Sequence, residues 1–251
     1  QFNTISANDF NSYDELNQLV QTEPADWTDP ATVGLFASIG IRKGQDFAPD
    51  ARMQKILTEA VAVGNATART IVFDHTRRSG NEETRGFIGG SYLFTNGAEL
   101  LLDARTLFFY YATGITPAMA MSEVNKGSAY AIATRDGKGD FLDGGKTYKI
   151  TLPGPVPAKD FWSFVVCDNV TRSLLETDQK LAGVDSTDKT LKVEADGSAT
   201  VWSGPKAPEG HESNWVQTMP GKGWNVLLRL YGPEEAWFKK TWKPGDFELV
   251  E

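Results

Sequence analysis

From Ala129 onward the hydrophobic pattern of this chain repeats every second residue. Short runs at 130–134, 147–152, 162–167, 190–193, 200–202 and 225–231 are separated by Asp136-Gly137, Asp143-Gly144-Gly145, Asp196-Gly197 and Pro220-Gly221. Alternating β-branched and aromatic residues fit a pleated surface with one face in a core, while Asp-Gly and Pro-Gly pairs supply turns. Many short strands at this spacing predict a sandwich or jelly roll. That constraint is stronger than anything else in the sequence.

The first part reads differently. Ser12-Tyr13-Asp14-Glu15 has capping-box spacing ahead of Leu16, Leu19 and Val20. Asp29-Pro30 is a second helix start, with Asp29 as N-cap and Pro30 in the first turn, and Gly40 can stop that helix. A third helix begins at Asp50 and continues to about Ile71 through Met53, Ile56, Leu57, Ala60 and Val61. Residues 74–96 are polar and glycine-rich, with one short strand expected at Phe87-Ile88. Residues 98–111 return to helix and end on Phe108-Phe109-Tyr110-Tyr111, a run that covers more than one face and belongs against other elements. The expected organisation is a helical connecting region at 1–75, an irregular segment with an aromatic helix at 76–128, and a β-sandwich at 129–251. The fold class is α+β, with N-terminal helices followed by a mainly antiparallel sandwich of jelly-roll type.

Composition excludes several classes. The 251 residues carry 33 acidic and 25 basic side chains, a net charge of −8. An acidic surface repels phosphate backbones and anionic lipid heads, so no nucleic-acid partner is expected. The longest apolar run, 107–112, is too short for a membrane span. Cys167 is the single cysteine, so no disulfide forms within the chain. Beside Phe164-Val165-Val166 it reads as a small apolar residue inside or ending a strand.

One set of residues resembles a known family. These are Asp140-Phe141-Leu142-Asp143-Gly144-Gly145, Tyr148, Pro153, Pro157, Phe161-Trp162-Ser163-Phe164, Thr171-Arg172, Asp196-Gly197-Ser198, Asn214-Trp215, Arg229-Leu230-Tyr231-Gly232-Pro233 and Trp242-Lys243-Pro244. Together they resemble the bacterial domain of unknown function 1214, over residues 128–251. The resemblance implies a helical insert followed by a jelly-roll-like sandwich, usually the C-terminal half of proteins whose N-terminal half is domain of unknown function 1254. It implies no established reaction, cofactor or substrate. Cys167 departs from the family pattern, which has an aromatic before Asp168. The chain opens on Gln1-Phe2-Asn3 without a charged-then-apolar leader, and the resemblance makes a preceding N-terminal domain the expectation.

Candidate site residues are few. His75 and His211 are the two histidines, and no Gly-x-Ser-x-Gly elbow nominates a nucleophile for either. Arg77 and Arg78, beside His75, suit a carboxylate or phosphate. The loop Asp136-Gly137-Lys138-Gly139-Asp140, followed by Asp143, invites a calcium reading, but Lys138 occupies a ligand position and Phe141 stands where an EF-hand needs Gly. Turn-forming aspartates explain the same letters, so no metal is expected, and no cofactor. Trp162, Trp215, Trp224 and Trp242 offer flat faces to a sugar ring or hydrophobic ligand; Trp162 reads as core and Trp215, in a loop, as the exposed one. Arg229, between Leu228 and Leu230, points to one sheet face and, if buried, needs a partner, with Asp140, Asp143 and Asp168 the natural suspects.

The ligand-binding candidates are therefore Asp136, Asp140, Arg172, His211, Trp215 and Arg229. The expected function is a non-catalytic binding or assembly half of a larger exported bacterial protein, periplasmic or secreted. Its expected partners are a small-molecule or carbohydrate ligand, with further copies of itself or an N-terminal domain. The alternative is a hydrolase acting on a carbohydrate or small hydrophobic ester, with a site between the helical region and the sandwich. Convergence of Asp136, Asp140, Arg172, His211 and Arg229 in one deep pocket separates the two.

Overall fold

The structure, a computed structural model, describes residues 7–78, 92–112, 114–121 and 123–250, with the side chains of residues 74–78 excluded. The strand expected at Phe87-Ile88 and the side chains of His75, Arg77 and Arg78 lie outside the described residues. The chain forms two compact units, residues 1–75 and 76–251.

The first unit is helical: α1 (Asn11–Thr22), α2 (Pro30–Ser38) and α3 (Ala51–Arg78), the last running beyond it. Asp29 caps α2 as expected, accepting from the Thr32 amide at 2.9 Å, and Gly40 follows its end at φ +94°. Asp50 caps α3 through the Met53 amide at 2.7 Å. The capping box at Ser12 does not form. The first turn begins at Asn11, whose amide is taken by Asp9 Oδ1 at 2.9 Å, and Glu15 reaches back to the Ala7 amide at 3.2 Å. With the cap shifted upstream, Ser12 stands inside the helix.

The second unit opens with the two-residue strands β1 (Thr95–Asn96) and β2 (Glu99–Leu100), then α4 (Leu102–Ala112). The helix thus starts later than the expected residue 98. Its aromatic run divides: Phe108 and Tyr110 are buried and Phe109 is exposed.

Two four-stranded sheets follow. The first has the order β10-β4-β7-β8, made of Glu248–Leu249, Tyr148–Leu152, Ala199–Gly204 and Trp215–Gln217. The second has the order β3-β9-β5-β6, made of Ser128–Ala133, Trp224–Pro233, Ala158–Asp168 and Gly183–Asp185. A short α5 (Glu235–Phe238) follows β9. All pairings are antiparallel except β7 with β8, which is parallel. One core lies between the inner faces, with Tyr148, Ile150 and Val201 from the first sheet and Phe164, Leu228 and Leu230 from the second. Trp224, fully buried, sits edge-on to Tyr148 and Phe247 at 5.8 and 5.3 Å.

The expected strand at 190–193 is absent. Its backbone is satisfied by a side chain instead: Asn214 accepts from the Lys192 amide and donates to the Lys192 carbonyl, both at 2.8 Å. Asn214 also donates to Thr200 O at 2.9 Å, so one buried amide does the work of a strand partner.

Candidate functional site

In β4 and β7 the alternation that sends Tyr148, Ile150, Leu152 and Val201 into the core turns Lys149, Thr151, Thr200 and Trp202 outward. Lys149 stands opposite Trp202 and Thr151 opposite Thr200, with the two threonine hydroxyls 3.0 Å apart. The chain after β7 turns back at Gly210, held at φ +80°, and lays the His211 ring on Trp202 with centroids 4.6 Å apart and planes 29° from parallel. Lys192 Nζ donates to Gly210 O at 2.8 Å and fixes that turn. These residues, with Glu194 and Asn214, line a groove of about 340 Å³.

The groove is polar and mixed in charge. Lys149 shares its ammonium with Glu248 at 3.2 Å, an exposed pair that contributes little to stability. The amides of Glu212 itself and of Gly210 hold the Glu212 carboxyl below its ordinary range, with Lys192 and His211 adding to the effect. Trp202 Nε1 is buried and has no hydrogen-bond partner among the described residues. Hydroxyls, an amine, a carboxylate and an imidazole stacked on an indole are groups that hydrogen-bond a polyol and pack on its apolar face.

Arg229 is elsewhere, on the second sheet, and Arg172 is in the loop that follows its strand β5. Arg229 lies on the outer face of β9, because its neighbours Leu228 and Leu230 turn into the core. None of Asp140, Asp143 and Asp168 is its partner. Asp168 is buried and bonded to Lys222 Nζ at 2.6 Å and to the Val170 and Thr171 amides at 2.6 and 3.0 Å. Burial pushes the Asp168 carboxyl up, but Lys222 and the two amides outweigh it and leave it below its ordinary range. Arg172, at φ +64°, donates to Tyr110 O at 3.1 Å and stacks its guanidinium 4.6 Å from the Tyr110 ring, which ties α4 to the loop after β5. Cys167 is a half-buried free thiol on the outer side of β5; burial pushes its pKa up, Arg229 pulls it down and Asp168 adds to the rise.

Asp136 and Asp140 occupy a third place, the turn after β3. Asp136 Oδ1 accepts from the Lys138 and Asp140 amides, both at 3.0 Å, so it organises the turn, while Asp140 is exposed. Among the described residues, no group of three or more His, Cys, Asp and Glu side chains is arranged to hold a metal. The six candidates therefore do not converge on one pocket: Asp136 and Asp140 share a turn, His211 and Trp215 neighbour Trp202 on the first sheet, and Arg172 and Arg229 lie with the second.

The tryptophan readings divide as well. Trp162 is core, as expected. Trp224 and Trp242 are buried too, Trp242 donating to Pro153 O at 2.8 Å, so neither offers a face to a ligand. Trp215 is not in a loop: it opens β8, is half-buried, and donates to Gly204 O at 3.0 Å. Asn214, anchored immediately before it, holds Trp215 in that strand. The groove tryptophan is Trp202, which sequence reasoning placed only at a strand end. Its signal was present, since it alternates with the core residue Val201 and so must face outward.

Against this geometry, one family comparison is decisive for the C-terminal part. Residues 127–235 match the family described as Protein of unknown function (DUF1214). The DUF1214 segment takes in β3 to β9, and so both Arg229 and all the groove-lining residues; Trp242-Lys243-Pro244 lies beyond it. The chain is similar to the crystal structure of the VPA0106 protein from Vibrio parahaemolyticus, at 18% identity and a TM-score of 0.47, over 96% of this chain and 56% of that one. It is also similar to that of an uncharacterized protein from Burkholderia cenocepacia, at 15% identity and a TM-score of 0.32, over 81% of this chain and 44% of that one. The chain spans about half the length of these two structures. No curated protein matches it.

Proposed function

We propose that the DUF1214 segment is a non-catalytic binding module and that its groove on the first sheet takes a saccharide. The observation that carries the reading is the His211–Trp202 stack standing beside the Thr151–Thr200 hydroxyl pair in a groove of about 340 Å³. Small-ligand sites are typically ~300–1,000 Å³ and combine an apolar surface with a few placed polar groups. The groove fits a sugar ring with its hydroxyls shared among Lys192, Glu194 and the threonines. The hydrolase reading is tied to Asp136, Asp140, Arg172, His211 and Arg229 meeting in one pocket, and of these five only His211 lines the groove.

The two sheets around one core are read here as a jelly-roll-type sandwich. Residues 1–75 are read as a connecting region, pairing with a domain of unknown function 1254 in a larger exported protein. No helix among the described residues is long and apolar enough to cross a membrane.

Isothermal titration with a panel of soluble neutral oligosaccharides tests the reading. Saturable binding by at least one member, lost in Trp202→Ala, supports it; a panel that gives no heat, or heat unchanged in the variant, removes it.

A further inference from the structure

The outer face of the second sheet carries one polar row across all four strands. Tyr130 in β3 stands opposite Arg229 in β9, Arg229 opposite Ser163 in β5, and Ser163 opposite Asp185 in β6. The rows on either side are mainly apolar, with Ser128 at the β3 end of one. Ile132, Leu227 and Val165 form one, and the Phe161–Tyr231 pair, stacked with centroids 4.0 Å apart, forms the other. A polar stripe between apolar stripes is an amphiphilic surface, and its centre is a guanidinium.

That guanidinium makes no hydrogen bond or ion pair among the described residues, and its Nε is buried without a partner. Asp185, the nearest acid in the row, is two strands away and accepts from the Thr187 amide and hydroxyl. Among the described residues the Ser163 and Tyr130 hydroxyls on either side of Arg229 make no hydrogen bond either. Tyr111 Oη, electrostatically coupled to Cys167 on this same face, is also buried and unpartnered. Buried polar groups in folded proteins are nearly always satisfied, and a buried unpaired charge is the costliest exception. Here the donors are concentrated on one sheet face and aimed at no acceptor.

We infer that this face is a binding site for a small organic carboxylate with an apolar body, its carboxylate held by Arg229 with Ser163 and Tyr130. A planar guanidinium matches a carboxylate two bonds at a time. The single cation of the row balances one negative charge, which suits a carboxylate better than a phosphate dianion. The flanking Leu227 and Phe161–Tyr231 rows receive the apolar body. The site is separate from the groove and stands or falls without it.

The test uses sodium hexanoate and benzoate as probes on the whole chain, followed by ¹H–¹⁵N NMR, with hexanamide and inorganic phosphate as controls. The expected result is saturable shifts in the amides of Leu227, Arg229 and Ser163 with the carboxylates, absent with hexanamide and weaker with phosphate. Arg229→Gln is expected to weaken binding at least about tenfold. The comparison of hexanoate with hexanamide needs no variant, so a poorly folded Arg229→Gln leaves the test intact. A second readout is Cys167 alkylation by neutral iodoacetamide: a carboxylate on Arg229 offsets the charge that favours the thiolate, and the rate falls. Equal shifts with acid and amide, shifts confined to other residues, or no shift at all overturn the inference. Tighter binding of phosphate than of hexanoate overturns the assignment to carboxylates.

Discussion

Lys222 Nζ lies 2.6 Å from Asp168 Oδ2, at the end of β5 where Asp168 stands opposite Trp224. The carboxylate nearest in sequence logic to Arg229 is taken by a lysine that arrives on the turn before β9. Asp168 is buried, while the Lys222 side chain is 44% exposed. The pair therefore neutralises a buried acid at the sheet end, while Arg229 stands further along β9, opposite Ser163.

Because the Asp168 carboxyl is held below its ordinary range in the fold, its contribution is present above the unfolded value near ~3.9 and is lost as pH falls through the folded value. Asp168→Asn is expected to cost about 2–3 kcal/mol at pH 7. Urea midpoints measured from pH 7 to pH 3 should show the gap between wild type and variant closing below about pH 4. A gap that stays constant with pH contradicts the assignment.

Gly144 is a packing position more than a turn position. A Cβ there would lie 2.1 Å from Met219 O and 2.9 Å from Lys222 O, both backbone atoms that cannot step aside. Gly144→Ala is expected to cost about 2 kcal/mol or more. Thermal denaturation of that variant beside Gly210→Ala separates steric from conformational causes, since Gly210 has φ +80° and nothing within 4 Å of its would-be Cβ.

How much of this was legible in the sequence depends on where each strand finds its partner. β5 and β9 were readable because Trp162, Phe164 and Val166 in one and Val226, Leu228 and Leu230 in the other recur at every second position and enter the core. The segment 190–193 looks the same on paper, yet its backbone pairs with the Asn214 side chain, some twenty residues later. β8 was missed because three residues in a parallel pairing carry too little pattern. At the sites, the outward direction of Trp202 and Arg229 was written in their apolar neighbours. Their companions were not, because His211 and Lys222 are delivered by loops whose course no period encodes.

Asn214 is the residue on which the groove wall depends. From a buried position its side chain accepts from Lys192 N and from Ser213 Oγ and donates to Lys192 O and Thr200 O. Asn214→Ala leaves three backbone groups unpaired and is expected to cost about 2–4 kcal/mol. Hydrogen exchange should accelerate at Lys192 in that variant before the core strands are affected.

Cys167 should be a sluggish thiol at neutral pH, because burial raises its pKa more than Arg229 lowers it. Iodoacetamide is expected to modify it more slowly in the native protein than in urea. Arg229→Gln should slow the native reaction further by removing the charge that favours the thiolate. An unchanged rate in Arg229→Gln would place the guanidinium too far from the sulfur to act on it.

The measurement closest to the central claim is a titration of ¹⁵N-labelled protein with the oligosaccharide panel, following the indole N–H signals. The account predicts that the Trp202 indole signal, assigned by its loss in Trp202→Phe, moves saturably together with the amides of Gly210 and His211, while the signals of buried Trp224 and Trp242 stay in place. A Trp202 signal unmoved at saturating oligosaccharide, or movement confined to residues outside the groove, would contradict it.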